Sequence, residues 1–207
     1  MKTAKIAGLV VGAAAAAAAS YPLLWREWCR TWGATDDEAR AALPGDDLLR
    51  EPDLLTTRAI TVAASPHRIW PWLVQMGSGR GGAYTYDWIE NLFGLDMHSA
   101  DEILPQFQDL HAGDVLPVGE GGPKMLVEVL EPDHALVLRS DDGRWVWAFV
   151  LREIPGGTRL ISRNRIAVPD ASLLVRGFNQ LVMEPGSLVM EQKMLRGIRQ
   201  RAERHVR

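Results

Sequence analysis

A chain of 207 residues is long enough for one domain with a substantial core plus an appendage. Apolar residues make up 47% and charged residues 24%, a globular balance that excludes intrinsic disorder. The net charge of −3 hides an asymmetry, because residues 171–207 carry seven Lys/Arg against three Glu, a tail of +4 on a remainder of −7.

At the N-terminus, Lys2 and Lys5 precede an uncharged run from Ile6 to Trp25 that Arg26 closes. About 20 apolar residues cross the ~30 Å hydrocarbon layer as a helix, and Trp25, Trp28 and Trp32 follow where an interfacial aromatic belt belongs. Ala13 to Ala19 is only weakly lipophilic, so two other readings stay open. One is a signal peptide cleaved after Ala17-Ala18-Ala19, which would export the domain, and the other is a soluble alanine-rich helix. The expectation is a hydrophobic anchor or signal segment over 1–25 and membrane association through it, with the side of the membrane and the oligomeric state left open.

Residues 26–55 read as a linker with one short helix. Thr35-Asp36-Asp37-Glu38 has the form of a capping box opening a helix through Leu43, and Pro44-Gly45 and Pro52 interrupt the chain. Cys29 is the single cysteine, which excludes an intramolecular disulfide, and beside Trp28 it suits a small buried hydrophobe.

The domain proper spans 56–207. Thr57 to Ala63 alternates, with Arg58, Ile60 and Val62 on one side, and reads as a strand. Ser65-Pro66 opens a helix to Gln75, in which Pro71 removes a backbone hydrogen bond and predicts a kink or an early end. Glycines from 77 to 82 break the chain, and a second helix is predicted from Asp87 to Phe93, stopped by Gly94. Strands follow over 114–118, 125–130, 135–139, 144–154 and 158–168. The turn signals between them include Pro132-Asp133, Asp141-Asp142-Gly143 and Pro155-Gly156-Gly157, which argues an antiparallel meander. Leu173 to Met183 is apolar and helical, Pro185-Gly186 breaks it, and an amphipathic helix from Ser187 to Arg204 puts Met190, Met194, Ile198 and Ala202 in one row.

This order predicts an α+β helix-grip fold. A curved antiparallel sheet wraps a long C-terminal helix, with two short helices after the first strand and a hydrophobic helix in front. A curved sheet cannot lie flat on one straight helix, so the gap between them becomes a cavity.

The run Ile60-Thr61-Val62-Ala63-Ala64-Ser65-Pro66-His67-Arg68-Ile69-Trp70-Pro71-Trp72-Leu73 resembles the opening of START-like (SRPBCC superfamily) domains, in the branch labelled polyketide cyclase/dehydrase. Val74-Gln75-Met76-Gly77, Tyr84 to Trp88, Asp96 to Ala100 and Met190 to Leu195 are similar to a membrane-anchored, actinobacterial-type bacterial subgroup of it. The likeness covers roughly residues 25–205. It implies binding or transfer of a lipid or other hydrophobic molecule or, in some branches, cyclisation or dehydration of polyketides.

Candidate ligand-binding residues are Tyr84, Tyr86 and Trp88, which share one side of an extended segment, and Trp145 and Trp147, which share one face of a strand. Met190 and Met194 join them from the last helix. On the strand 158–168, Arg159, Arg163 and Arg165 occupy one parity and are expected outward and solvated, which puts Ser162 and Asn164 inside the cavity. For catalysis His98 beside Asp96 and the phenol of Tyr86 are the candidates, with Asp87, Glu90 and Asp101 near them in sequence. The glycine-rich loop with Arg80 lacks the Lys-Ser/Thr of a nucleotide loop and reads first as a chain reversal. Five scattered histidines form no pair at helical ligand spacing, so no metal and no cofactor is expected. Arg196, Arg199, Arg201, Arg204 and Arg207 lack interleaved aromatic residues and argue no nucleic acid. The leading reading is sequestration or transfer of a hydrophobic small molecule. A cyclase or dehydratase using the same cavity is the alternative, and an interaction domain with a filled interior is the third.

Overall fold

The computed structural model describes residues 20–21, 25–92, 94–119 and 124–204. Nearly all of the expected anchor over 1–25 therefore lies outside the described residues, among which no helix is long and apolar enough to cross a membrane.

All six predicted strands form: β1 (Leu54–Val62), β2 (Val115–Pro117), β3 (Lys124–Glu131), β4 (Ala135–Ser140), β5 (Trp145–Ile154) and β6 (Gly157–Ile166). They make one antiparallel sheet in the order β1-β6-β5-β4-β3-β2. Short turns make β3 to β6 neighbours, whereas β1 crosses to the far edge and pairs along its whole length with β6. A register shift between Val127 and Val129 bends β3.

Among the described residues, the short α-helices α1 (Arg26–Thr31) and α2 (Asp36–Arg40) and a 3-10 turn at Asp46–Leu49 precede the sheet. The capping box of α2 is real: Thr35 Oγ1 accepts the Glu38 N–H at 3.1 Å, and Glu38 Oε2 accepts the Thr35 N–H at 2.8 Å. Between β1 and β2 lie α3 (Pro66–Val74), which stays helical through Pro71, and α4 (Asp87–Leu92).

The C-terminal part departs from expectation. α5 (Leu173–Phe178) passes through a π-helical turn over Asn179–Met183 directly into α6 (Glu184–Glu203), so Pro185-Gly186 breaks nothing. The widened turn explains this. Glu184 N–H reaches back five residues to the Asn179 carbonyl, which opens the space that the Pro185 ring needs against the preceding turn.

The interior divides along α6. Its C-terminal half sets Leu195, Ile198 and Ala202 against Phe149, Leu151, Leu160 and Val62, all buried, and α3 closes that end with Ile69 and Leu73. On the other side of the sheet, residues 33–50 form a cover. Gly33, at φ +73, lies so close to β1 that a Cβ would stand 2.1 Å from the Ala59 carbonyl oxygen. Leu43 packs on Ala59, Val150 and Ile161, and Leu48 and Leu49 pack near Val137, Val146 and Ala148. β5 is apolar on both faces because both faces are covered.

The cover corrects the solvated arginine row. Arg159, Arg163 and Arg165 do point away from the cavity, but into residues 33–50 instead of into water. Arg163 is 2% exposed and donates to Asp46 Oδ2 at 2.7 Å, to Thr57 Oγ1 at 2.9 Å and to the carbonyls of Glu38, Ala39 and Ala41 at 2.8–2.9 Å. Arg165 meets Asp46 and the Leu49 and Arg50 carbonyls, and Arg159 meets both oxygens of Glu38 and the Gly33 carbonyl. Burial lowers the pKa of Arg163 while Asp46 opposes that shift. Guanidinium forks suit such a site because backbone carbonyls supply acceptors in several directions.

Candidate ligand-binding site

β5, β6 and β1 run side by side, and their register fixes one wall of a hollow. Trp145 stands beside Ile166 and Leu54, Trp147 beside Asn164 and Thr56, and Phe149 beside Ser162 and Arg58. At the level of Phe149 the interior is filled. Beyond it, toward Trp145, the N-terminal half of α6 faces the sheet across a cavity of about 600 Å³. Met190 and Met194 line it from α6, Trp145 and Trp147 from the sheet, and Leu95 and Met97 from the loop after α4. Asn179, Gln180 and Met183 of the π turn line it as well.

A polar network is set into this apolar wall. Arg58, fully buried on β1, is paired with Glu191 of α6. Its other nitrogens donate to the Cys29 carbonyl at 3.0 Å and to Ser187 Oγ at 3.1 Å. Glu191 also accepts from Ser162 Oγ and, at 3.4 Å, from Asn164 Nδ2. Ser162 Oγ accepts the Trp147 indole N–H at 2.9 Å, and Asn164 Oδ1 accepts that of Trp145 at 2.8 Å. The two indoles, stacked 5.5 Å apart, are thereby fixed with their apolar surfaces on the cavity. A second pair lies nearby, where Arg26 Nη2 meets Glu184 Oε1 at 2.7 Å and Tyr21 donates to Glu184 Oε2 at 3.3 Å. Desolvation, then the Cys29 and Glu184 neighbours, push the Tyr21 phenol pKa upward.

Three polar atoms on the cavity wall, Thr56 Oγ1, Thr85 Oγ1 and Glu90 Oε2, have no partner in good hydrogen-bond geometry among the described residues, and Thr85 and Glu90 lie near each other. Burial raises the Glu90 pKa, Thr85 opposes the shift, and the like charge of Asp87 adds to it.

Of the residues expected from sequence, Trp145, Trp147, Asn164, Met190 and Met194 come together on the cavity wall, with Ser162 bonded just behind the indoles. The aromatic row 84–88 does not hold together. Tyr84 adopts φ 58°, which ends the extended alternation, and its buried side chain donates to the Trp72 carbonyl at 3.0 Å. Tyr86 lies half-buried under Lys193, whose Nζ is 5.7 Å from the ring centroid, and Trp88 is 69% exposed. His98 is exposed beside Asp96, 3.1 Å away, and neither it nor Tyr86 is among the described residues that line the cavity. Asp87 binds the backbone and hydroxyl of Ser99, and Asp101 pairs with Arg201 and Arg204. Arg80 donates to the carbonyls of Val74, Met76 and Phe107, so its guanidinium organises the glycine-rich reversal.

Arg58, Glu191, Thr56 and Thr85 were not singled out by sequence. Two of them carried a readable signal. Arg58 shares its parity with the core residues Ile60 and Val62, and Glu191 lies on the stripe of α6 that holds Leu188 and Leu195.

No family model and no curated protein matches the chain. Among solved structures it is similar to a Bacillus halodurans protein, at 15% identity and TM-score 0.48, over 73% of this chain and 99% of that one. A Mesorhizobium loti protein is similar at 16% identity and TM-score 0.44, over 73% and 98% of the two chains. A polyketide-cyclase-like protein of Corynebacterium glutamicum is similar at 14% identity and TM-score 0.35, over 72% and 86%. The chain's own strand order and its long C-terminal helix define the helix-grip class of α+β proteins.

Proposed function

We propose that the chain takes up a hydrophobic small molecule, such as a lipid or polyketide-like compound, between the concave sheet face and α6, and sequesters it or passes it on. The observation that carries this reading is the hollow of about 600 Å³ walled by Trp145, Trp147, Met190 and Met194. Small-molecule sites span about 300–1,000 Å³ and are mostly apolar with a few placed polar groups. That volume favours a carrier over an interaction domain with a filled interior. The placement of His98 and Tyr86 away from the wall favours it over a cyclase or dehydratase that would use them.

The same proposal makes a bilayer the place of exchange and sets the chain beside the membrane-anchored START-like subgroup it resembles. Leu173 and Leu174 are each 87% exposed, and Phe178, Val182 and Met183 are more than half exposed, on the helix that continues into the cavity-lining turn. Trp25 and Trp28, at the end of the apolar N-terminal run, are also half-exposed or more, and α1 packs on α6 through Cys29 and Leu188. Exposed apolar side chains of this kind suit contact with lipid.

Native mass spectrometry of the full chain purified in mild detergent is the test. We expect a co-purifying apolar mass, lost when Ala83→Phe fills the hollow. A clean apo mass, together with no uptake of an apolar dye, would remove the carrier reading. For the bilayer, Leu173→Ser/Leu174→Ser/Phe178→Ser should weaken flotation with phosphatidylglycerol vesicles, and unchanged flotation would detach α5 from the proposal.

A further inference from the structure

We infer that the cavity selects neutral amphiphiles carrying a hydroxyl or carbonyl group, and discriminates against fatty-acid-type anions, through Thr56, Thr85 and Glu90. The inference rests on the proposal that the cavity is a ligand site, and it names the chemistry of the ligand's polar end.

Charge bookkeeping around the hollow carries it. Three cationic residues line the cavity, Arg26, Arg58 and Arg176. Each is already engaged: Arg26 by Glu184 at 2.7 Å, Arg58 by Glu191, and Arg176 by Asp53 at 3.4 Å. Those pairs account for every acid on the wall except Glu90. No cation among the described residues pairs with Glu90, and the charged group that acts on it is Asp87, of the same sign and itself held by Ser99. A ligand carboxylate entering here would meet an acid and find each lining guanidinium occupied. Its burial without a counter-charge is costly.

The orphaned atoms say what fits instead. Thr56 and Glu90 are more than nine-tenths buried, Thr56 Oγ1 has no partner among the described residues, and Thr85 Oγ1 and Glu90 Oε2 have only each other nearby, outside good hydrogen-bond geometry. Desolvation favours the protonated carboxyl, whose O–H donates, while the threonine hydroxyls donate or accept. A hydroxyl or carbonyl oxygen can bond such groups without adding charge. The ligand's apolar body then lies against the indoles and the two methionines.

The test is displacement of the neutral dye Nile red from the full chain by a matched series: lauryl alcohol, lauryl methyl ketone, laurate and laurylammonium. We expect the alcohol and ketone to compete about tenfold better than laurate, the equivalent of about 1.4 kcal/mol. Laurate equal to the alcohol overturns the inference. So does laurylammonium binding tightest with affinity rising as pH rises, which would show Glu90 acting as an anion. If the dye does not bind, or binds in the wild type and in Ala83→Phe alike and none of the four displaces it, the carrier proposal falls and takes this inference with it. Glu90→Gln is neutral like the protonated carboxyl and still donates, so it should keep the gap, whereas Glu90→Leu removes the donor and should weaken the alcohol and ketone by about threefold or more; unchanged alcohol and ketone affinity in Glu90→Leu removes Glu90 from the mechanism. The wild-type series decides the main point even if a variant misfolds.

Discussion

One strand, β6, presents two opposite solutions to burying polar groups. On its convex side Arg159, Arg163 and Arg165 drive their guanidinium groups into residues 33–50, where carboxylates and backbone carbonyls meet them. On its concave side Ser162 and Asn164 join a network that ends at a hollow, on whose wall Thr56 Oγ1 has no partner among the described residues. An unsatisfied buried polar group costs about 1–3 kcal/mol, so the convex face has the chemistry of a glue while the concave face keeps hydrogen-bonding capacity open, as the proposed ligand site requires. Polarity inside a fold signals function only where its partners are missing.

The comparison breaks most readily at Arg163. Arg163→Met leaves Asp46 with Arg165 as its one arginine partner, strands the carbonyls of Glu38, Ala39 and Ala41, and should cost about 3 kcal/mol, read as a lower urea midpoint. A loss below about 1 kcal/mol would mean that water replaces the arginine and that the convex face is no glue.

On the concave side, Glu191→Leu leaves Arg58 buried without its counter-charge and should cost about 3 kcal/mol. The double change Arg58→Met/Glu191→Leu should recover most of that, because a matched apolar pair is close to neutral. Failure to recover would show that Arg58 serves mainly as the tie between Cys29 of α1 and Ser187 of α6.

The smallest effects lie in pH dependence, where the two faces have opposite signs. Burial raises the Glu38 carboxyl, but Arg159 and the Thr35 N–H outweigh it and hold the pKa below the usual carboxylate range. The stability this gives is present above that range and is lost as pH falls through the lowered value. Burial pushes Glu90 the other way, so its contribution is present below the usual range and is lost as pH rises through the raised value. Thermal melts across pH should show Glu38→Gln losing about 1 kcal/mol at neutral pH with a flatter acid limb. Glu90→Gln should remove the loss on the higher-pH side. Two shifts of the same sign would erase the distinction between the faces.

Much of the fold was legible because period-two alternation and turn residues mark strands directly. β5 and β6 fall within a residue or two of their expected limits. The same parity put Trp145 and Trp147 on one face of β5 without saying which face is concave; the structure sets that face on the cavity. Other features left no local mark. Arg163 is met largely by backbone carbonyls, which every residue carries, so its row reads like a solvated one. Arg58 and Glu191 are 133 positions apart, and only the completed fold joins them. Tyr84 escaped because alternation assumes an extended chain, and its left-handed backbone ends the alternation. Pro185 misled because a proline rule written for α-helices does not allow for a wider turn before it.

The cover over the convex face bears on where this molecule can be cut. A fragment beginning at residue 56, the start of the recognisable domain, would keep most of the sheet yet discard the acceptors of three arginines and the Cys29 carbonyl that Arg58 uses. A piece of this chain that keeps these contacts therefore includes residues 29–55, most of a stretch that sequence alone marks as a linker with one short helix.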